Sequence, residues 1–242
     1  MVGHGRPDYR DISPLVQVHA SDDLNELAAR THNTNVYDRR GNVVHTETFG
    51  EGLGAAYLIA GGTASYYLSG AHSRSEGLAL LASHNGDAGD TIVGTWSQGV
   101  LASLSRGLEI SWSHTANKGI IQIIADRYDG ALRSIGHVGY DFALQTPFYI
   151  DSAGDKIELE DTWPLVSGAN TWHFMKMALD YETGKYLRIM LDGKVWSLSA
   201  FDLLTSVSAV APYETWKLSI TGGGAVASDF YVDSLIVTIN EL

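Results

Sequence analysis

Apolar and polar positions alternate along most of this chain, and the alternation sets in near Thr46. In Tyr186-Leu187-Arg188-Ile189-Met190-Leu191-Asp192, Leu187, Ile189 and Leu191 share one face, and Arg188 and Asp192 the other. That is the period-two pattern of a strand with one side on a core. The same reading places strands at 55–60, 64–68, 77–83, 91–96, 108–113, 120–126 and 134–140. Further strands are expected at 147–150, 156–159, 173–180, 186–191, 195–198, 216–221 and 230–239. The last of these is apolar on both faces, which predicts a central strand. Asp129-Gly130 and Asp192-Gly193 stand between strands as hairpin turns. A short helix is expected at 200–204. Many short strands at close spacing, with hardly a helix, predict an all-β fold, an antiparallel β-sandwich or jelly roll.

The first 45 residues read differently. Pro7 and Pro14 break any early helix. Ser21 is placed as an N-cap with Asp22 and Asp23 in the first turn, and Leu24, Leu27 and Ala28 follow at helical spacing, so a short helix is expected over 21–30. Val36-Tyr37 and Val43-Val44, around the turn Asp38–Asn42, predict a small hairpin. This leader is too poor in apolar pattern to bury a core of its own. The expected organisation is an N-terminal docking arm, 1–45, followed by a sandwich domain, 46–242.

Composition sharpens that division. The formal charge of the 242-residue chain is −12, and the leader contributes only −1 of it. A body this acidic repels phosphate backbones, so nucleic-acid binding is not expected. No apolar run reaches the ~18 residues of a membrane span. The first residues lack the apolar core of a signal peptide. Cysteine is absent, which removes disulfides and thiolate chemistry.

Three stretches carry a resemblance. Trp172-His173-Phe174-Met175-Lys176-Met177-Ala178-Leu179-Asp180-Tyr181-Glu182-Thr183-Gly184-Lys185-Tyr186 resembles the paired back strands of concanavalin A-like (laminin G-like) jelly rolls. Phe230-Tyr231-Val232-Asp233-Ser234-Leu235-Ile236-Val237 resembles their closing strand, and Glu47-Thr48-Phe49-Gly50-Glu51-Gly52-Leu53 their opening one. In the leader, Tyr37-Asp38-Arg39-Arg40-Gly41-Asn42-Val43-Val44-His45 is similar to a junction in uncharacterised jelly-roll proteins of phages and phage-like bacterial loci. The first resemblance implies a fold that hosts lectins, lyases, hydrolases and inert modules alike. The second implies a non-enzymatic structural or decorating module of a virion, in contact with other copies or with capsid or tail proteins. A bacterial cytoplasmic or cell-surface location without a Sec signal is the alternative.

Candidate chemistry is sparse. Glu158 and Glu160 would share a strand face, as the carboxylate pair of a glycoside hydrolase does, but Asp161 falls on the other face and no further Glu follows. The alternative is a solvated strand end. Lyases of this fold need a Q-[IV]-H strand and an R-x-E-x-R strand. Gln122-Ile123-Ile124 lacks the His, and Arg74-Ser75-Glu76 is followed by Leu78 where the second Arg belongs. Trp163, Trp96 and Tyr66 are candidates to stack on sugar rings in a lectin-like module, with Trp172, Trp196 and Trp216 assigned to the core. The resemblance also implies a structural calcium tying the first and last strands through Glu47, Glu51 and Asp233, against a local cap or pair for Asp233. In the arm, Leu15, Val16, Leu24 and Leu27, with Arg39 and Arg40, are expected to grip a neighbouring subunit.

Overall fold

The computed structural model describes residues 41–49, 52, 57–74, 77–85, 87–159, 162–224 and 227–241. Among them the strands are β1 (Asn42–Glu47), β2 (Tyr57–Gly61), β3 (Ser65–Ser69), β4 (Ala79–His84), β5 (Ala88–Gln98), β6 (Ser105–His114), β7 (Ile120–Tyr128) and β8 (Leu132–Asp141). They continue as β9 (Thr146–Ile150), β10 (Lys156–Glu158), β11 (Gly168–Asp180), β12 (Lys185–Leu191), β13 (Lys194–Ser197), β14 (Leu204–Val207), β15 (Tyr213–Gly223) and β16 (Ser228–Ile239). Sheet I has the order β13-β12-β11-β6-β16-β4-β3, with β1 also against β16. Sheet II has the order β10-β9-β8-β7-β15-β5-β2, with β14 also against β8. Pairing is antiparallel throughout these ladders. No helix among the described residues is long and apolar enough to cross a membrane.

The core lies where the two sheets face each other. Leu108, Ile110 and Trp112 of β6 and Met177 of β11 come from sheet I; Ile121 and Ile123 of β7 and Trp216 and Leu218 of β15 come from sheet II. Each set is spaced by two, so alternate side chains leave the core for the outer faces. β16 is the central strand its two apolar faces predicted, pairing with β6, β4 and β1. At the β12–β13 hairpin, Asp192 (φ 45°) and Gly193 (φ 86°) are both left-handed, the backbone of a tight two-residue turn.

An ion cluster inside the sandwich ties the sheets together. Arg106 of β6 reaches Glu214 of β15 with both Nε (2.8 Å) and Nη2 (2.7 Å). Arg127 of β7 adds a third bond to the same carboxylate at 3.1 Å, and its guanidinium lies 5.5 Å from the Tyr181 ring centre. Burial pushes the Tyr181 phenol well up, so it stays neutral there. Arg106 and Glu214 are 1% and 0% exposed, so the charges are compensated by one another and by the Ser105 and Leu101 carbonyls.

Three expectations change. Residues 200–204 form no helix: Ser199 and Ala200 turn, Asp202 bridges to Lys185, Leu203 is buried, and β14 starts at Leu204 and pairs with β8. Edge pairing decides here, because a single turn of helix cannot form alone. Val43-Val44 belong to β1, which pairs with β16, so the sandwich takes in residues from Asn42 onward. Within β12 the register shifts between Arg188 and Tyr186, leaving Leu187 as the extra residue of a bulge. Tyr186, not Leu187, therefore joins Ile189 and Leu191 in the core. The expected helix at 21–30, the hairpin half at 36–37 and the arm residues Leu15, Val16, Leu24, Leu27, Arg39 and Arg40 lie outside the described residues.

The outer faces of the two sheets differ. On sheet I, Ser111, Ser113, Lys176 and Ala178 point away from the core and are still no more than 1% exposed. Part of this face lies under the Ser69–Arg74 segment: the Arg74 guanidinium sits 4.6 Å from the Phe174 ring centre, and the His72 ring meets Tyr231 edge-on at 4.8 Å. A small second apolar cluster of Ala79, Leu81 and Tyr231, with Trp172, forms there. On sheet II, the outward Gln122, Ile124, Lys217 and Ser219 are half-exposed. That face is open.

Candidate functional site

The open face of sheet II is built from the outward residues of β7, β8 and β15. Register places Tyr128 beside Tyr213 and Arg133, Asp126 beside Thr215 and Ile135, and Ile124 beside Lys217 and His137. Asp126 organises the centre. Its Oδ2 accepts from Lys217 Nζ (2.7 Å), Arg133 Nη2 (2.9 Å) and Thr215 Oγ1 (3.3 Å), while the carboxylate itself is fully buried. The two cations thus stand half-exposed above a buried anion that fixes where they point. Asp126 Oδ1 and Arg133 Nε are buried without a partner in the structure.

Beside this centre is an aromatic pair. The Tyr128 and Tyr213 rings stack with centres 4.5 Å apart and planes 2° from parallel, and the Arg133 guanidinium lies 5.6 Å from the Tyr128 ring centre. Burial, and then the hydrogen bond with Tyr213, raises the Tyr128 phenol above its ordinary value, so both donor and acceptor functions persist at neutral pH. On the other side of Asp126, His137 Nε2 meets Gln122 Oε1 at 2.7 Å. Burial lowers the His137 pKa to about 4, which makes it a neutral imidazole at pH 7. With the Gln122 oxygen as acceptor, its proton sits on Nε2.

None of these residues was singled out from sequence as a sugar contact. Gln122 was noted for lacking a His two positions on. The structure supplies that His from the neighbouring strand: His137 pairs with Ile124, the position the pattern leaves empty. The available signal was the run of polar residues on alternate positions of β15, from Tyr213 through Thr215 and Lys217 to Ser219, which reads equally well as an ordinary solvated face.

The sequence-derived candidates lie elsewhere and do not converge. Trp96 is corrected to a core residue: it points inward from β5, is 2% exposed, and packs in the main core. Tyr66 is half-buried against that core, with its hydroxyl donating to the Leu58 carbonyl at 3.2 Å, so its ring is not a free platform. Trp163 is half-buried too, meeting Trp196 edge-on at 5.9 Å, with Lys194 Nζ 5.2 and 5.5 Å from the two ring centres. This cluster sits at the β13 edge, away from the sheet II face. Trp216 is in the core as assigned, whereas Trp196 is only partly buried and Trp172 lies on the outer side of sheet I.

Glu158 is exposed on the three-residue edge strand β10; Glu160 and Asp161 lie outside the described residues. Of the calcium set, Glu47 accepts from the Phe49 amide at 3.1 Å, and Asp233 accepts from the Arg74 amide at 3.3 Å. Glu51 lies outside the described residues. Among the described residues no three His, Asp or Glu side chains come together in a metal-binding set.

No protein-family model matches the chain, and no curated protein matches it in sequence. Its likeness is to solved structures. A sialidase superposes with a TM-score of 0.53 at 13% identity, over 83% of this chain and 19% of that one, so this chain spans about a fifth of it. A carbohydrate esterase of the Shiga toxin-encoding bacteriophage phi24B gives 0.52 at 16% identity, over 83% of this chain and 100% of that one. A Bacillus subtilis protein of unknown function with a galectin-like fold gives 0.52 at 12% identity, over 83% and 97%. Two antiparallel sheets in this arrangement are a concanavalin/galectin-like jelly-roll sandwich, as the resemblance implied. At these identities the likeness establishes the fold and not the activity.

Proposed function

We propose that this protein is a non-enzymatic carbohydrate-binding module and that glycan lies on the open face of sheet II. The observation that carries the proposal is the parallel Tyr128–Tyr213 pair set beside Lys217 and Arg133, both held by buried Asp126. Sugars present apolar C–H faces and ringed hydroxyls, and are matched by aromatic carbon flanked by fixed donors and acceptors. Here the donors are fixed before any ligand arrives, which lowers the ordering cost of binding. The setting we favour is a decorating component of a phage particle, on the leader's resemblance to phage jelly-roll proteins.

A glycan array followed by titration of the strongest binder tests this. Tyr213→Ala or Lys217→Ala should each weaken binding by about tenfold, the equivalent of ~1.4 kcal/mol. Trp163→Ala, at the β13 edge, should leave affinity unchanged. An array without a binder, or equal affinity in all three variants, overturns the assignment.

One observation favours a second reading, a polysaccharide lyase. His137 is neutral, and Gln122 is its hydrogen-bond partner, so a base and an amide stand together on the open face. Incubation with uronate-containing polysaccharides decides it: unsaturated products that disappear in His137→Ala would establish lyase chemistry, and none are expected under the binding proposal.

A further inference from the structure

From Gly52 to Ser73 the chain carries no Asp, Glu, Lys or Arg, the longest such stretch in a protein with a net charge of −12. The structure gathers two strands of this stretch, β2 and β3, on one flank of the sandwich. β2 is the last strand of sheet II and β3 the last strand of sheet I. The Tyr66 hydroxyl crosses between them to the Leu58 carbonyl, so both edges run side by side. Among the described residues neither strand has a partner on its outer side. The side chains displayed there are large and apolar: Tyr57 is 68% exposed, Tyr67 53% and Ile59 50%.

Open sheet edges present rows of unpaired backbone N–H and C=O groups, and proteins ordinarily guard them with charge, proline or a covering element. This flank has no charge or proline along either strand. We propose that the flank is a self-association surface, on which a second copy of the chain docks with its β2 antiparallel to this β2.

Charge selects a second copy as the occupant. Two copies of a strongly acidic protein repel over most of their surfaces, and the neutral flank is where they can approach closely. An antiparallel strand pair about a two-fold axis is also self-complementary: each β2 offers the other the same groups. The nearby carboxylates do not spoil this. Asp87 and Asp90 sit at the turn end, where both accept from the Thr63 hydroxyl and Asp90 is buried. Antiparallel docking sets that end of one copy against the Tyr57 end of the other, so the acidic ends are kept apart.

Sedimentation velocity over a wide concentration range tests the proposal, with circular dichroism as the check on folding. The wild-type protein should sediment as a dimer. Ile59→Lys places a charge on the outward side of β2 without touching the core, and should raise the dissociation constant at least about tenfold with an unchanged spectrum. Val207→Lys, on the opposite flank at a side chain 90% exposed, should remain dimeric. As a second reading, the β2 amides should exchange more slowly as protein concentration rises. A wild-type protein that is monomeric throughout, a dimer that survives Ile59→Lys, or one that dissociates on Val207→Lys instead would overturn the inference.

Discussion

Acidification should destabilise this protein well above the range where its carboxylates titrate. His114 packs against Phe142, His173 and Phe230 and is fully buried. Its Nε2 meets Asn117 Oδ1 at 2.9 Å, and burial lowers its pKa from 6.5 to about 4. His137 is lowered to about 4 by burial as well. A depressed histidine pKa means that the unfolded chain binds the proton more readily. The stabilisation is complete above pH 7, falls as pH drops below 6.5, and is exhausted near pH 4. Working from 6.5 unfolded and 4 folded, each histidine costs about 2 kcal/mol on going from pH 7 to pH 5, or ~4 kcal/mol together. That is a large share of the ~5–15 kcal/mol that holds a typical domain. Urea denaturation at the two pH values measures it. The quantity to compare is the difference between pH 7 and pH 5 within each protein, since any fixed cost of a substitution then cancels. His114→Gln and His137→Gln should each shrink that difference by about 2 kcal/mol. If both variants lose as much stability as wild type between the two pH values, the reasoning is wrong. Asp90 and Asp129, held low chiefly by backbone amides, add losses only below about pH 4.

Other consequences are as direct. Glu214→Gln removes the carboxylate that two arginines share inside the sandwich, and should cost about 3–5 kcal/mol by chemical denaturation; a loss below ~1 kcal/mol would show that the cluster does not clamp the sheets. A Cβ on Gly136 would lie 2.3 Å from a Leu179 methyl across the core, so Gly136→Val should destabilise by roughly 1–3 kcal/mol in the same assay. If calcium ties the first and last strands through Glu47 and Asp233, chelator should lower the thermal midpoint and added calcium restore it; an unchanged midpoint would remove the cation.

Much of the sandwich was legible because burial on one side of a strand imposes period two, and turns have few acceptable residues. The Asp192-Gly193 hairpin and the doubly apolar β16 are examples. Where reading failed, the cause was non-local. Leu187 keeps the alternation on paper, but a bulge opposite Leu179 hands its place to Tyr186. The 200–204 segment follows the edge of β8, which no local pattern encodes. The site was hardest to see. Arg133 lies seven residues from Asp126 but Lys217 lies 91 away, and only the β7–β8 and β7–β15 registers bring both cations to one carboxylate. Trp96 was misplaced because aromatic character suits a sugar platform and a core equally well, and only the direction of β5 separates the two.

The position of β16 has a kinetic consequence. Residues 228–239 form the seam between β6 and both β1 and β4, so on the ribosome these three strands of sheet I must wait for their shared neighbour. Ladders this distant in sequence close slowly, and until they do the nascent chain carries bare strand margins. Synthesis and acquisition of the native state are thereby separated in time, and the cell's chaperones meet this protein first as a half-built sheet with its keystone still to come.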